Sequence, residues 1–255
     1  GNGQISYSEA EQIKELWLWP PNELNLQSLQ GIEFMPNLEV LFSIGEWYDN
    51  GDNSAPIDRP HYYVGPYGNG GPLGTIRKVD VSNNPKLRRL NIAHNSALGI
   101  EQGTIDLSQN PLLEELCLSY TYLEYPDIIY CSGLKRLELG GLRGDMPDFS
   151  VFHELRHLNV EYPRDNKRAN SIDVSNAPHL EYLAVSEAAE SLSDLSLNPE
   201  LRELHYPWCP GVGMMDFSKL PKLEVLGVAG NGFATIDVSV LKLLRVLHVD
   251  CNNLT

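Results

Sequence analysis

The stretch IDLSQNPLLEELCLSYT at residues 105–121 decides the fold, because its pattern recurs along most of the chain. Asp106 is followed seven, ten and twelve residues later by Leu113, Leu116 and Leu118. The seventh and tenth positions are also leucine, and the twelfth is apolar, after seven other aspartates: Asp80, Asp127, Asp148, Asp173, Asp194, Asp216 and Asp237. Successive aspartates are 26, 21, 21, 25, 21, 22 and 21 residues apart. Self-similarity at this period predicts a solenoid in which each repeat forms one coil.

The leucine positions predict a strand in every coil. In an extended segment successive side chains point to opposite faces, so Leu90 and Ile92 should point inward and Arg89, Asn91 and Ala93 outward. Stacked coils would then form a parallel sheet whose inward leucines are buried only in the stack. A repeat of this length has no room for a long helix, so the opposite side should be irregular or 3₁₀.

The spacing LxxLxL, together with IDVSNAPHLEYLAVS at 172–186 and IDVSVLKLLRVLHVDCNNL at 236–254, resembles secreted bacterial leucine-rich-repeat surface proteins of the internalin-like and gut-commensal kind. The resemblance covers roughly residues 13–255. It implies an α/β-type repeat solenoid: a right-handed superhelix with a parallel sheet on its concave face and a short N-terminal capping helix. It also implies an extracellular or cell-surface location and a role in recognition rather than catalysis.

The chain divides into three segments along this pattern. Residues 1–44 should form an N-terminal cap and a first repeat, residues 45–75 a glycine- and proline-rich insertion, and residues 76–255 eight repeats of one continuous solenoid. The insertion carries Trp47, Tyr48, Tyr62, Tyr63 and Tyr67, too many aromatic residues for a disordered linker. Its rings could cover an apolar patch on the nearby strands or form a platform for sugar or peptide. That patch should contain Trp17, Trp19, Phe42 and Ile44.

The repeated aspartates favour a turn. Serine follows two residues later in seven repeats and proline five residues later in five, and Asp and Ser hydrogen-bond their own backbone in turns. A cation site along the carboxylates is the less favoured alternative. After the strands an asparagine recurs only as Asn95, Asn231 and Asn252. The middle repeats should therefore turn less regularly at the equivalent residues: Thr121, Leu142, Pro163, Ala188 and Cys209.

Ser6 and Glu9 form a capping-box pattern that predicts a short helix to about Lys14. The sheet should then begin over residues 16–18. The stretch from Asn2 to Glu9 also matches the second half of a calcium-binding loop. The first half, with its leading aspartate, is absent, so the helix cap is favoured.

The motif His153-Glu154-Leu155-Arg156-His157 matches the zinc-protease pattern HExxH. That chemistry needs a helix, but Leu155 and Leu158 continue the leucine register and place His157 on a strand. Two histidines so far apart on an extended chain cannot hold one metal ion. No phosphate loop, nucleophile elbow or Cys-His pair appears elsewhere, so we expect no enzyme, no metal and no cofactor.

The composition limits the partners. With 34 acidic and 19 basic residues the net charge is −15, which argues against nucleic acid and anionic membranes. No apolar run is long enough to insert into a membrane. The four cysteines show no paired spacing, so we expect them to be free thiols. We also expect the protein to be a monomer. The chain opens at Gly1 without a signal sequence, so we expect that a leader has been removed.

The outward strand positions suggest where a ligand would bind. Their mixture of charged, histidine and aromatic side chains is typical of protein interfaces. The candidate ligand-binding residues are Arg89, Glu115, Arg136, Glu138, His157, Asn159, Tyr162, Tyr182, His205 and Trp208. The preferred ligand is a protein, and a host protein is one candidate. Three alternatives stay open: a glycan stacked on the Trp and Tyr rings, a scaffold repeat without a ligand, and a solvated face with pairs such as Glu115–Arg136.

Overall fold

The computed structural model describes residues 5–18, 26–43, 76–163, 169–209 and 216–255. Within these ranges, ten three-residue strands form one parallel sheet in chain order, as in a leucine-rich-repeat superhelix. They are β1 (Glu15–Trp17), β2 (Val40–Phe42), β3 (Arg89–Asn91), β4 (Glu115–Cys117), β5 (Arg136–Glu138), β6 (His157–Asn159), β7 (Tyr182–Ala184), β8 (Glu203–His205), β9 (Val225–Gly227) and β10 (Val246–His248). Helix α1 spans Tyr7–Ala10, and 3₁₀ helices span Ile32–Phe34, Leu195–Leu197 and Phe217–Lys219. The predicted fold class is confirmed.

The central leucine of each strand lies beside that of the next strand. Leu90 is in register with Leu41 on one side and Leu116 on the other. Leu90 and Ile92 are buried, as the alternation predicts. Ala93 is an exception, since it was predicted outward and is also buried. Asn91 Oδ1 accepts a hydrogen bond from Ala93 N at 3.2 Å, so the chain is already turning there and the strand alternation no longer applies.

The aspartate of every repeat closes a turn, as the sequence predicts. In all eight repeats Oδ1 accepts a hydrogen bond from the backbone N–H two residues later, at 2.9–3.1 Å. Hydrogen bonds from the backbone and hydroxyl of Ser108 lower the pKa of Asp106, and those of Ser175 lower the pKa of Asp173. The carboxylates therefore serve the backbone of their own turns.

The asparagines after the strands join neighbouring coils. Asn95 Nδ2 donates to Ser43 O at 2.8 Å and to Ile92 O at 2.9 Å. In the middle repeats, two of the residues that stand in place of this asparagine also donate a hydrogen bond to a backbone carbonyl. Thr121 Oγ1 donates to Leu118 O at 2.8 Å, and Cys209 Sγ donates to Val185 O at 2.9 Å. Thr121 thus replaces the hydrogen bond within the coil, and Cys209 replaces the one to the preceding coil.

A second asparagine ladder was not predicted from the sequence. Four residues after their aspartates, Asn84, Asn110 and Asn198 are fully buried. Asn110 Nδ2 donates to Val81 O and to Asn84 O, both at 3.0 Å. Each side-chain amide thereby links its own coil to two backbone carbonyls of the preceding coil. These carbonyls each accept one backbone N–H within their turn, and the asparagine adds a second hydrogen bond.

The capping box is present at the N-terminus. Glu9 N donates to Ser6 Oγ at 3.4 Å, and Ser6 N donates to Glu9 Oε2 at 2.8 Å. The helix ends at Ala10, earlier than the predicted Lys14. The reason is that Lys14 O already accepts the backbone N–H of Glu39 at 2.7 Å and is therefore part of the sheet.

Several sequence predictions lie partly or wholly outside the described residues. They are the calcium-loop residues before Ile5, the insertion at 45–75, and Trp19 and Ile44 of the apolar patch. The other two patch residues, Trp17 and Phe42, have ring centroids 4.7 Å apart.

The fourteenth residue after each aspartate has a left-handed backbone. All eight have φ between 53° and 74°: His94, Tyr120, Gly141, Tyr162, Glu187, Trp208, Gly230 and Cys251. Only two are glycine, although this conformation is strained for other residues. The glycines face aromatic rings of the preceding coil, because a Cβ at Gly141 would crowd Tyr120 and one at Gly230 would overlap Trp208.

Leu137→Ala should lower the free energy of unfolding by about 2–5 kcal/mol, because this fully buried leucine fills the core between adjacent coils. Chemical denaturation would measure the loss. Leu112→Ala is the matched control, since Leu112 is 46% exposed and its truncation should change stability by no more than about 0.5 kcal/mol. Equal losses in the two variants would contradict the strand register.

Asn110→Ala should cost about 1–3 kcal/mol, because it removes two hydrogen bonds to buried carbonyls, each worth roughly 0.5–1.5 kcal/mol. Thermal and urea unfolding would measure the effect. Asn83→Ala changes an exposed asparagine of a neighbouring coil and should be nearly neutral. A neutral Asn110→Ala would show that the second ladder does not stabilise the stack.

Candidate functional site

The predicted ligand-binding residues lie along the concave sheet, but they form separate groups. Arg89 on β3 and Glu115 on β4 form an exposed ion pair with Nε and Oε1 3.3 Å apart. A solvent-exposed ion pair of this kind contributes little to stability. Glu115 is also in register with Arg136 on β5. Arg136 begins a second group, which continues to β8.

Glu138 is the centre of this second group. Arg136 Nη2 donates to Glu138 Oε1 at 2.6 Å, and His157 Nε2 contacts the same oxygen. Glu138 was predicted to be an outward-facing ligand-binding residue, and its side chain is fully buried. Its position is outward from the sheet, and the longer side chains from β5 and β6 cover it. A buried carboxylate is stable when it is paired and hydrogen-bonded in this way.

Asn159 was likewise predicted to be an outward-facing ligand-binding residue, and it is only 2% exposed. Its Oδ1 accepts the backbone N–H of Glu161 at 3.0 Å, so the amide turns back onto its own strand end. Glu138 and Asn159 therefore support neighbouring side chains, and a ligand cannot contact them without displacing those neighbours.

Three rings cross the middle of the sheet. His157 and Tyr182 stack almost parallel, with centroids 4.1 Å apart and an interplanar angle of 4°. Tyr182 and His205 follow at 5.5 Å and 39°. His205 Nε2 also lies 3.7 Å from Glu203 Oε2. The strands β6, β7 and β8 thus present one continuous aromatic and ionisable surface.

Glu161 belongs to this surface, although sequence reasoning did not select it. Burial raises its pKa to about 7, while nearby His205 opposes the shift and Glu138 adds to it. A signal was available in the sequence. Glu161 is the thirteenth residue after its aspartate, where most repeats have a small residue: Ala93, Ser119, Gly140, Ser186 and Ala229.

His157 is shielded from water by the same neighbours. Its burial lowers its pKa, and the adjacent Glu138 carboxylate acts in the opposite direction. The imidazole is therefore held in its neutral form more strongly than a free histidine. This makes it a hydrogen-bonding and stacking group rather than a fixed positive charge.

Tyr162 and Trp208 lie at the ends of β6 and β8, on the rim of the sheet. Both have the left-handed backbone described above. Trp208 is 44% exposed, with its ring against Gly230 of the next coil. Backbone N–H groups hold both residues in place, with Tyr162 N donating to Ser186 O at 2.8 Å and Trp208 N to Ala229 O at 2.9 Å.

The HExxH motif does not form a zinc centre. His153 is exposed in a turn, with Nδ1 3.3 Å from Asn176 O, whereas His157 is on β6 against Glu138. Across the described ranges, no three His, Cys, Asp or Glu side chains are arranged to hold a metal ion. All four cysteines are free thiols. No helix in the described part of the chain is long and apolar enough to cross a membrane.

Glu161→Gln should change how stability depends on pH. Between the ordinary glutamate value of about 4.3 and a pKa of about 7, folded Glu161 holds a proton that the unfolded chain has released. The contribution of Glu161 to the free energy of unfolding therefore rises as the pH falls from 8 to 5, by at most about 1.4 kcal/mol per pH unit. The glutamine variant lacks this dependence.

Urea unfolding at pH 5 and pH 8 would test this expectation. The variant should gain stability over the wild-type protein at pH 8, and the gain should shrink to a minor fraction at pH 5. Glu181→Gln, at an exposed carboxylate paired with Arg156, is the matched control. A stability difference that is the same at both pH values would contradict the assigned environment of Glu161.

Comparisons with known proteins agree with this architecture. No protein-family model and no curated protein sequence matches the chain. Among solved structures, the functional domain of InlJ from Listeria monocytogenes matches 68% of the chain at 23% identity and a TM-score of 0.58. A leucine-rich-repeat protein of Leptospira interrogans matches 97% at 16% identity and a TM-score of 0.59. The chain spans 37% and 63% of these two structures. Both likenesses show that it has a leucine-rich-repeat fold.

Proposed function

We propose that this protein is a non-catalytic recognition module that binds a protein ligand on its concave face. The observation that carries the proposal is the continuous surface of rings and ionisable groups across β5 to β8. It contains Arg136, His157, Glu161, Tyr182 and His205. Aromatic and arginine side chains in a partly desolvated setting are the usual anchors of protein interfaces.

The fold does not require these side chains. The core is supplied by inward leucines such as Leu137, Leu158 and Leu183, all of them fully buried. At the equivalent outward positions of β9 the chain has only Val225 and Gly227. A leucine-rich-repeat sheet therefore forms without a charged and aromatic cluster, which supports a role for the cluster beyond folding.

The charge of the molecule supports the choice of partner. A net charge of −15 disfavours a polyanion, whether nucleic acid or an anionic membrane. We further propose a monomeric, extracellular or cell-surface protein. Its fold is shared with proteins of two bacteria, Listeria monocytogenes and Leptospira interrogans. The insertion at 45–75 is proposed as a separate surface feature of the same continuous solenoid domain.

A binding array of extracellular host proteins and of glycans would test the proposal. The wild-type protein should bind a protein on the array. A variant with Arg136→Glu, Tyr182→Ala and Trp208→Ala should lose at least about tenfold in affinity, which corresponds to about 1.4 kcal/mol. The matched control carries Arg245→Glu, Tyr130→Ala and Tyr7→Ala at exposed positions away from β5 to β8.

The outcomes separate the alternatives. A protein bound by the wild type and the control, but not by the concave-face variant, supports the proposal. Binding that is restricted to glycans would replace the protein ligand with a sugar. Binding that survives in the concave-face variant would move the site elsewhere on the molecule, and the absence of any binding would favour a scaffold role.

A further inference from the structure

The residue just before each of the ten described strands is charged. Before β1 to β5 these residues are Lys14, Glu39, Arg88, Glu114 and Lys135, and before β6 to β10 they are Arg156, Glu181, Arg202, Glu224 and Arg245. From Glu39 onward, each donates its backbone N–H to the carbonyl of the equivalent residue one coil earlier, at 2.7–2.8 Å. Successive residues of this set therefore lie on adjacent coils, and we call the set the charged row.

The charges of the charged row alternate in sign, with one exception. The sign changes at every step from Lys14 to Lys135, and again at every step from Arg156 to Arg245. At the remaining step, Lys135 on the coil of β5 is followed by Arg156 on the coil of β6, and both are positive. Like charges on neighbouring strands repel each other, so this step is unfavourable where the others are favourable. We call Lys135 and Arg156 the cationic junction.

Elsewhere in the charged row, a glutamate can bind the cations of both neighbouring coils. Glu114 Oε1 accepts a hydrogen bond from Arg88 Nη1 at 2.5 Å, and Glu114 Oε2 accepts one from Lys135 Nζ at 2.9 Å. Glu224 is held in the same way by the arginines on either side of it. The hydrogen bonds from Lys135 and Arg88 lower the pKa of Glu114. The arrangement that this row favours is thus an ionised carboxylate between two cations, with one oxygen for each.

The cationic junction has two cations but no carboxylate between them. Lys135 Nζ pairs with Glu114 on the coil before, whereas Arg156 Nη1 pairs with Glu181 on the coil after, each at 2.9 Å. Neither residue forms a further ion pair within the described residues. Both side chains are accessible, with Lys135 46% and Arg156 52% exposed. Because the bond to Glu181 uses one nitrogen of the guanidinium, Arg156 keeps other N–H groups for a second acceptor.

The cationic junction adjoins the surface proposed to bind the protein ligand. Lys135 directly precedes Arg136, and Arg156 directly precedes His157, the two residues that contact Glu138. Because Arg136 is hydrogen-bonded to this buried carboxylate, the accessible positive charge at the start of β5 and β6 comes from Lys135 and Arg156. A ligand that packs on the rings of the concave face would therefore extend over the cationic junction at its edge.

We propose that the cationic junction binds an aspartate or glutamate side chain of the protein ligand, with one carboxylate oxygen accepting a hydrogen bond from Lys135 Nζ and the other from the Arg156 guanidinium. The ligand would thereby restore the alternation of the charged row, since a negative group would again lie between two positive ones. Charge-assisted hydrogen bonds of this kind are stronger than those between neutral groups. This inference rests on the function proposed above, and it adds the charge of a contacting residue of the ligand.

The negative net charge of the protein has little effect on such a contact. At physiological ionic strength, interactions between exposed charges more than about 8 Å apart are largely screened. A single carboxylate at the cationic junction is therefore governed mainly by the two cations beside it. A polyanion is a different case, because it would extend over the glutamates of the neighbouring coils.

The test follows three probes by NMR titration of the whole protein at constant ionic strength: N-acetyl-glutamate methylamide, its uncharged isostere N-acetyl-glutamine methylamide, and the monoanion methyl sulfate. The glutamate probe should shift the side-chain signals of Lys135 and Arg156, and the neighbouring backbone amide signals, in a saturable manner. The side-chain signals of Arg88 and Arg202 should not move, because each of these arginines lies between two glutamates of the charged row. The glutamine probe should cause no saturable shift.

Two double variants remove equal charge from different parts of the charged row. Lys135→Gln with Arg156→Gln should abolish the saturable response of the neighbouring amides to the glutamate probe. It should also weaken binding of a protein ligand found on the array by about tenfold. Arg88→Gln with Arg202→Gln is the matched control, because these side chains are similarly exposed, at 50% and 48%. The control should change either binding by no more than about twofold, and thermal unfolding would verify that both variants remain folded.

Equal responses to the glutamate and glutamine probes, or equal losses in the two double variants, would overturn the inference. Tighter binding of methyl sulfate than of the glutamate probe would overturn the assignment to a carboxylate. These results differ from a failure of the proposed function, which is judged on the binding array. A protein ligand found there whose affinity does not depend on Lys135 and Arg156 would leave the concave face as the binding surface and remove the cationic junction from it. A specific response to the glutamate probe without any protein bound on the array would support the carboxylate site and contradict the proposed function.

Discussion

In-register stacking of the coils is the constraint on which the rest of the structure depends. A coil of this length cannot enclose its own leucines, so each one is buried only by the coil before and the coil after it. The same stacking decides where backbone groups find partners. Strands pair along one side, while aspartate carboxylates and two asparagine ladders serve the turns, where no regular structure is available. Apolar burial and backbone hydrogen bonding therefore demand the same register, and neither is satisfied without the other.

This constraint leaves the outward positions of the sheet without a structural requirement. The chain uses them unevenly. Across β5 to β8 they hold a paired Glu138, stacked rings and the partly buried Glu161, whereas on β9 they hold valine and glycine. Charged groups in such a setting interact more strongly with one another than they would in water, because fewer water molecules screen them. The outward side chains of β5 to β8 are therefore not needed for folding, yet they are chemically more varied than those of β9.

Much of the fold followed from the sequence because leucine spacing and strand alternation act within one repeat. Leu90 and Ile92, the aspartate turns and the Ser6–Glu9 cap were all predicted in this way. The burial of Glu138 and Asn159 could not be, since it depends on long side chains from neighbouring coils. The second asparagine ladder was missed because only three repeats carry it, at Asn84, Asn110 and Asn198. Glu161 was missed for a related reason. Its size is unusual only when the thirteenth residue after the aspartate is compared across all coils.

The contact between Trp208 and Gly230 has a consequence for how such a protein can be lengthened or shortened. Removing residues 216–236, one whole coil, would place Trp208 beside the left-handed Cys251 instead of Gly230. The cysteine has a Cβ where the indole lies, so the ring would have to leave its place. The match between Tyr120 and Gly141 is looser, because a Cβ at Gly141 would come within 3.0 Å of the ring and require only a small shift. Coils that look interchangeable in sequence are thus matched in neighbouring pairs, and recombination between repeats can preserve the rim only by exchanging such pairs intact.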